Sequence, residues 1–264
     1  SAWFQLINNG VISTEYLKES TADAEARIFE TFLAARTEAF KSMRNELYSP
    51  APTAQCELPK EIADYMFYAV SCLSSEEQGI IKTEEIDKSS REYLAWKDGT
   101  GNLREYLYNG IEGGWICTSA LNMEQKYSDP ENIFHELLEY TIRVLENDRG
   151  FEKEIYRHLI ENGTVTGSDL LLALYSQGVL AHNEEEIRLL ETQNEDYAFQ
   201  LIREKIIRLE LTPAQMALEP CTAGVVVTDV NTGKILALVS YPGYDGNRLS
   251  GTIDAAYYRW LLHD

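Results

Sequence analysis

Residues 223–248 read Ala223-Gly-Val-Val-Val-Thr-Asp-Val-Asn-Thr-Gly-Lys-Ile-Leu-Ala-Leu-Val-Ser-Tyr-Pro-Gly-Tyr-Asp-Gly-Asn-Arg248, and the class of the fold turns on them. Gly224 to Val230 and Lys234 to Ser240 are rich in Val, Ile and Leu with little polar alternation, which suits strands covered on both faces. Between them, Asn231-Thr-Gly233 supplies residues that tolerate a positive φ, as a tight hairpin requires. Two strands alone make a marginal sheet in water, and no further run of comparable quality follows. The hairpin is therefore expected to be a piece of a larger sheet that has lost partners to truncation. The competing expectation is that helices of this chain cover both of its faces.

Upstream, the chain reads as helix after helix. Ser13 to about Tyr48 is rich in helix formers, with Ile28, Phe29, Phe32 and Leu33 as an apolar stripe. Ser49-Pro-Ala-Pro52 ends it, because proline cannot continue the hydrogen-bond ladder. A second helix is expected over 59–73, and another over 103–109 after the break at Asp98-Gly-Thr-Gly-Asn102. The best-marked start is Ser128-Asp-Pro-Glu131, with a cap, a first-turn proline and an acid at the positive helix end. Ile133, Phe134, Leu137, Leu138, Ile142 and Leu145 then recur at helical spacing. Further helices are expected over 151–161, 169–176 (capped by Ser168 and ended by Gly178), 184–190 and 197–209. Thr212-Pro213 begins a short one that Pro220 halts, and 254–263 reads as a helix at the end of the chain. The fold class is thus α+β, predominantly α-helical, with a C-terminal antiparallel β-hairpin. Residues 1–195 are assigned to a helical region and 196–264 to the domain that the hairpin opens.

Composition narrows the partners. The 264 residues carry a formal net charge of -20, and no Lys/Arg cluster of the kind that binds phosphate appears, which argues against nucleic acid and against anionic lipid. Most of the excess acid reads as solvated helix surface. Cys56, Cys72, Cys117 and Cys221 form no C-x-x-C pair, so zinc has little support, and buried free thiols are the default. No apolar run approaches the ~20 residues that span a bilayer, and nothing resembles a signal peptide. Ser1-Ala2 reads as a vector remnant, so that absence does not speak for the natural protein.

Motifs with catalytic associations fail one by one. His135-Glu-Leu-Leu-Glu139 is half of a metalloprotease helix, but Glu139 stands where the second histidine must be. His158, His182 and His263 lack partners at ligand spacing. Gly99-Thr-Gly101 lacks the third glycine of a dinucleotide loop, and Gly233-Lys234 is followed by Ile235 rather than a hydroxyl residue. Asn162-Gly-Thr164 matches a glycosylation sequon, yet Asn-Gly at a helix end is a good turn. No catalytic, metal or cofactor residue is assigned, and no cofactor is expected.

Taken in order, Thr212-Pro-Ala-Gln215, Val225 to Val230, Thr232-Gly233, Ile235 to Val239 and Tyr241-Pro-Gly-Tyr-Asp245 resemble the opening of the transpeptidase domain in class B penicillin-binding proteins. The likeness covers roughly the last fifth of the chain. Ile155 to Leu180, with Leu171, Leu172, Tyr175, Gln177 and Gly178, also looks like the segment that precedes this hairpin in large members. The resemblance implies that the hairpin is the first part of a transpeptidase-type sheet. It implies a membrane-anchored parent at the extracytoplasmic face of a bacterial membrane, cross-linking peptidoglycan stem peptides through a serine acyl-enzyme that β-lactams trap. The family's serine lies in an S-x-x-K motif, and none of the chain's serines has a lysine three residues on; K-[ST]-G and S-x-N are absent too. The R-G-x-I-x-D-R-like stretch usual near the family's N-terminus is also missing, which points to an extra helical domain in place of the familiar pedestal. The chain is expected to be a non-catalytic fragment, with other cell-wall synthesis proteins as partners of the parent and a homodimer through unpaired strand edges. The alternative is an acidic helical interaction or scaffold module without enzymatic activity.

Overall fold

The computed structural model describes residues 2–121, 129–212, 214–216, 223–230 and 232–241. Among these the chain is mostly helical, with eleven α-helices and one two-stranded antiparallel sheet. It divides into two compact units, Glu15–Thr166 and Ser1–Thr14 together with Gly167–Asp264. The first is thus inserted in sequence between two segments of the second. The boundary placed at residue 195 from the sequence falls inside the second unit, at the start of a helix.

The unit Glu15–Thr166 holds α2 (Thr14–Glu19), α3 (Asp23–Leu47), α4 (Lys60–Leu73), α5 (Arg91–Lys97), α6 (Leu103–Glu112), α7 (Pro130–Glu146) and α8 (Arg149–Glu161). The single helix expected from Ser13 to Tyr48 is two, because the Ser20 hydroxyl intercepts the backbone. It accepts from Ala22 N at 3.2 Å and donates to the buried Glu25 carboxylate at 3.1 Å, the local competition that makes serine a poor helix-interior residue. Helix α5, which no expectation covered, starts on the Ser90 hydroxyl, and α6 on the Asn102 side chain. The core is aromatic at its centre. Phe32 of α3 stacks on Tyr156 of α8 with ring centroids 4.5 Å apart, and Phe151 meets Phe40 and Tyr65. A second aromatic file runs Trp96, Tyr106, Trp115. A Cβ on Gly110 would lie 2.6 Å from the Trp115 ring, so only glycine lets this file close. Ile81 and Ile116 form an isolated bridge beneath it.

In the other unit, α9 (Gly167–Ser176) is buried nearly all round, and α1 (Ala2–Asn8), α10 (Glu184–Leu190) and α11 (Glu195–Ile207) pack against it. Ser168 does not cap α9 as expected, because the helix begins at Gly167, two residues earlier, and Ser168 lies inside it. The Glu195 carboxylate, brought from the start of α11, accepts from Gly167 N at 2.9 Å and Ser168 N at 3.2 Å. A carboxylate at a helix start satisfies free N–H groups and opposes the dipole at once. Asn183 and Asn194 cap α10 and α11. Gln177 clamps the N-terminal segment, accepting from Ser13 N and donating to Ser13 O.

Beyond α11, Thr212 and Gln215 form a reciprocal cap: Thr212 N donates to the Gln215 side chain at 2.8 Å, and Gln215 N donates back to the Thr212 hydroxyl at 3.3 Å. Strands β1 (Ala223–Thr228) and β2 (Ile235–Tyr241) then pair in the register Val225 to Val239 and Val227 to Ala237, with an irregularity at Val227/Thr228. The turn is wider than the tight hairpin expected. Asp229 N donates to Lys234 O and Gly233 N to Asp229 O, with Gly233 at φ 68. The short helix expected as far as Pro220, the Pro-Gly-Tyr-Asp loop and the helix at 254–263 lie outside the described residues.

Candidate functional site

The hairpin was expected to be buried on both faces, and the described residues leave it open on both. Along an extended strand successive side chains alternate between faces, and directly paired residues share one, so Val225, Val227 and Ala237 lie on one face, while Val226, Thr228 and its partner Ile235 lie on the other, with Leu236 at the irregularity between them. Val225 and Val227 are 54% and 45% exposed on the first face; Val226 and Ile235 are 57% and 63% exposed on the second, and Leu236 at the irregularity is 66% exposed. One exposed aliphatic residue needs no explanation. A ribbon whose two faces are both aliphatic and both open is a different case, because antiparallel sheets that face water normally place polar residues on that side. Its outer edges carry further unpaired backbone groups among the described residues.

Titratable clusters are the other candidates, and each is built as a tie between elements. In the unit that carries the ribbon, Lys205 of α11 has a side chain only 6% exposed. Its ammonium lies 2.9 Å from Glu186 Oε2 of α10 and 3.0 Å from Glu210 Oε2, above the Tyr175 ring of α9. Tyr175 donates its hydroxyl to the same Glu186 carboxylate. Burial works against the ammonium, but the bonds to Glu186 and Glu210 outweigh it and raise the Lys205 pKa. Burial, then the bond to Glu186, raises that of Tyr175. A nucleophile or general base needs its pKa brought toward neutrality. Both groups move the other way, so the cluster fastens three helices.

In the helical unit, the buried His158 of α8 has Nε2 3.2 Å from Asp64 Oδ2 of α4, without hydrogen-bond alignment, and its ring meets Tyr65 edge-on. Burial and then Arg157 lower its pKa, against the pull of Asp64. The half-motif residues His135 and Glu139 are on α7, where Glu139 takes Arg44 at 2.8 Å and the Tyr48 hydroxyl at 2.7 Å. The Tyr48 bond, then Arg44, hold this carboxyl below its usual range, with burial opposing. That pair ties α3 to α7. Asn162 lies in the exposed turn after α8, with its carbonyl accepting from Thr164. Among the described residues no three His, Cys, Asp or Glu side chains converge as metal ligands, and no helix is long and apolar enough to cross a membrane. Cys56 and Cys72 are free thiols, the first exposed and the second half-buried, and Cys117 is half-buried with its sulfur 3.0 Å from the Ser119 hydroxyl. Burial pushes the Cys72 thiol up to about 11, away from reactivity. Cys221 and His263 lie outside the described residues.

Comparisons with protein-family models, curated proteins and solved structures find no match. The function must therefore be argued from the residues themselves.

Proposed function

We propose that this chain is a non-catalytic part of a class B penicillin-binding protein, a helical region followed by the first two strands of the transpeptidase sheet. The ribbon carries the reading. Fully burying a Val, Leu or Ile side chain stabilises by about 1.5–3 kcal/mol. Open aliphatic side chains on both faces therefore leave on the order of 5 kcal/mol unrealised. Helices on both faces and strands on the edges would recover it, which is the layered architecture of a sheet at the centre of a domain. The order of the elements around the ribbon, from Thr212-Pro-Ala-Gln215 to Tyr241-Pro-Gly-Tyr-Asp245, supports this family over other sheet proteins.

In this reading the parent is anchored at the extracytoplasmic face of a bacterial membrane by a transmembrane helix upstream. Its serine attacks the D-alanyl-D-alanine carbonyl of a stem peptide, with the S-x-x-K lysine as proton acceptor and backbone N–H groups holding the oxyanion. An acceptor amine resolves the acyl-enzyme, and β-lactams trap it. This chain contributes no reacting group. It starts the sheet and supplies helical surface for other cell-wall synthesis proteins. At high concentration the open strand edges pair between copies.

One observation favours the scaffold reading instead. Glu15–Thr166 closes its own aromatic core without the ribbon, as a self-standing binding module would. The coding sequence after Asp264 separates the two. An S-x-x-K within a few tens of residues supports the transpeptidase, and a stop codon there removes it.

A further inference from the structure

In the helical unit, a groove of about 960 Å³ runs between the loop that follows α3 and helices α5 and α6. Its apolar lining comes from Pro50, Pro52, Leu94, Ala95 and Tyr108. Prolines and a tyrosine offer contact area with few rotamers to freeze. The walls are held before any ligand arrives. Gln55 N donates to Gly101 O at 2.8 Å and Cys56 N to Gly99 O at 2.8 Å. Gly101 crosses so close to α5 that a Cβ there would lie 2.9 Å from Trp96 N. Tyr108 is propped by the Phe134 ring.

The charge over this lining is one-sided. Arg104 is already committed, donating to Ser49 O at 3.0 Å and to Glu131 at 3.3 Å while its guanidinium covers Phe134. Glu92, Asp98, Glu105 and Glu112 remain along the groove with Arg91 as their counterweight. The trough is open along its length rather than closed over. A small molecule normally buries most of its surface in its site, whereas an extended chain lies in an open trough and places alternate side chains along it.

We propose that this groove takes an extended, basic polypeptide segment, with its backbone and apolar side chains on the proline–tyrosine lining and its lysines or arginines on the acidic margin. The proposal is independent of the transpeptidase reading. The whole chain is acidic, so the test must separate this groove from general charge attraction. A short fluorescein-labelled peptide of alternating lysine and alanine is titrated by anisotropy against the full chain at low and moderate salt. Glu92→Gln/Glu105→Gln/Glu112→Gln, with folding checked by circular dichroism, should weaken binding by about tenfold, the scale of three exposed charge contacts. Tyr108→Ala should weaken it while leaving the salt dependence intact. Glu184→Gln/Glu185→Gln, which neutralises an acidic helix start elsewhere, should leave it unchanged. Three results would overturn the proposal: no binding at low salt, equal loss in the remote variant, or equal competition by spermine and by the unlabelled peptide at matched charge.

Discussion

Replacing Lys205 with methionine keeps the length and apolar stem of the side chain and removes the charge. In the wild type that charge answers two carboxylates, at 2.9 Å and 3.0 Å, from a position almost closed to solvent. Removing one partner of a buried ion pair costs about 3–5 kcal/mol, because the other is left buried and uncompensated. The side chains of Glu186 and Glu210 keep 19% and 32% of their exposure, and Tyr175 still serves Glu186, so the cost falls to about 2–3 kcal/mol. For a chain of this size that corresponds to a melting temperature lower by about 5–10 °C. Urea unfolding followed by far-ultraviolet circular dichroism, with a thermal scan beside it, measures both. In Lys205→Met/Glu186→Gln one of the two stranded carboxylates is gone, and about 1 kcal/mol of the loss should return. A single-variant loss below about 0.5 kcal/mol, or strict additivity in the double, would refute the fastening role.

Two further outcomes follow from the same physics. His158 is held below its ordinary 6.5 in the folded chain, so near that pH the unfolded chain binds more protons and stability rises with pH. The contribution is complete above the unfolded pKa and is lost as pH falls through 6.5 toward the folded value; the stability difference between wild type and His158→Gln, from urea midpoints, should shrink from about pH 7.5 to about pH 5.5, and a flat difference would contradict it. On the ribbon, Val226→Lys and Leu236→Lys, made singly, should each change stability by less than about 0.5 kcal/mol, as exposed sites do; a thermal scan showing a loss of several degrees would mean that these faces are covered.

Sequence reading served best where one residue type has one physical job. The valine run fixed β1, the helix expected over 184–190 is α10, and Pro130 placed the start of α7, because propensity and capping act within a few residues. It failed where a partner comes from far along the chain. Glu195 caps α9 from a separation of 28 residues, and nothing near Gly167 announces it. The Lys205 cluster draws on residues 175, 186, 205 and 210, which form no motif and meet only because α10 and α11 both pack on α9. The proposed groove likewise takes its lining from three separate segments. Exposure of the ribbon was beyond sequence pattern as well, since an aliphatic run records what a strand is suited to touch and not whether a neighbour is there.

The central claim is that β1 and β2 open the acyl-transfer sheet of a longer protein. Fluorescent penicillin applied to the product of the whole reading frame, and in parallel to residues 1–264, tests it most directly by intact-mass and peptide mapping. The account predicts one covalent adduct per full-length chain, on a serine C-terminal to Asp264, and none on residues 1–264. A reading frame that stops at Asp264, a full-length product that stays unlabelled, or an adduct within the present chain would contradict it.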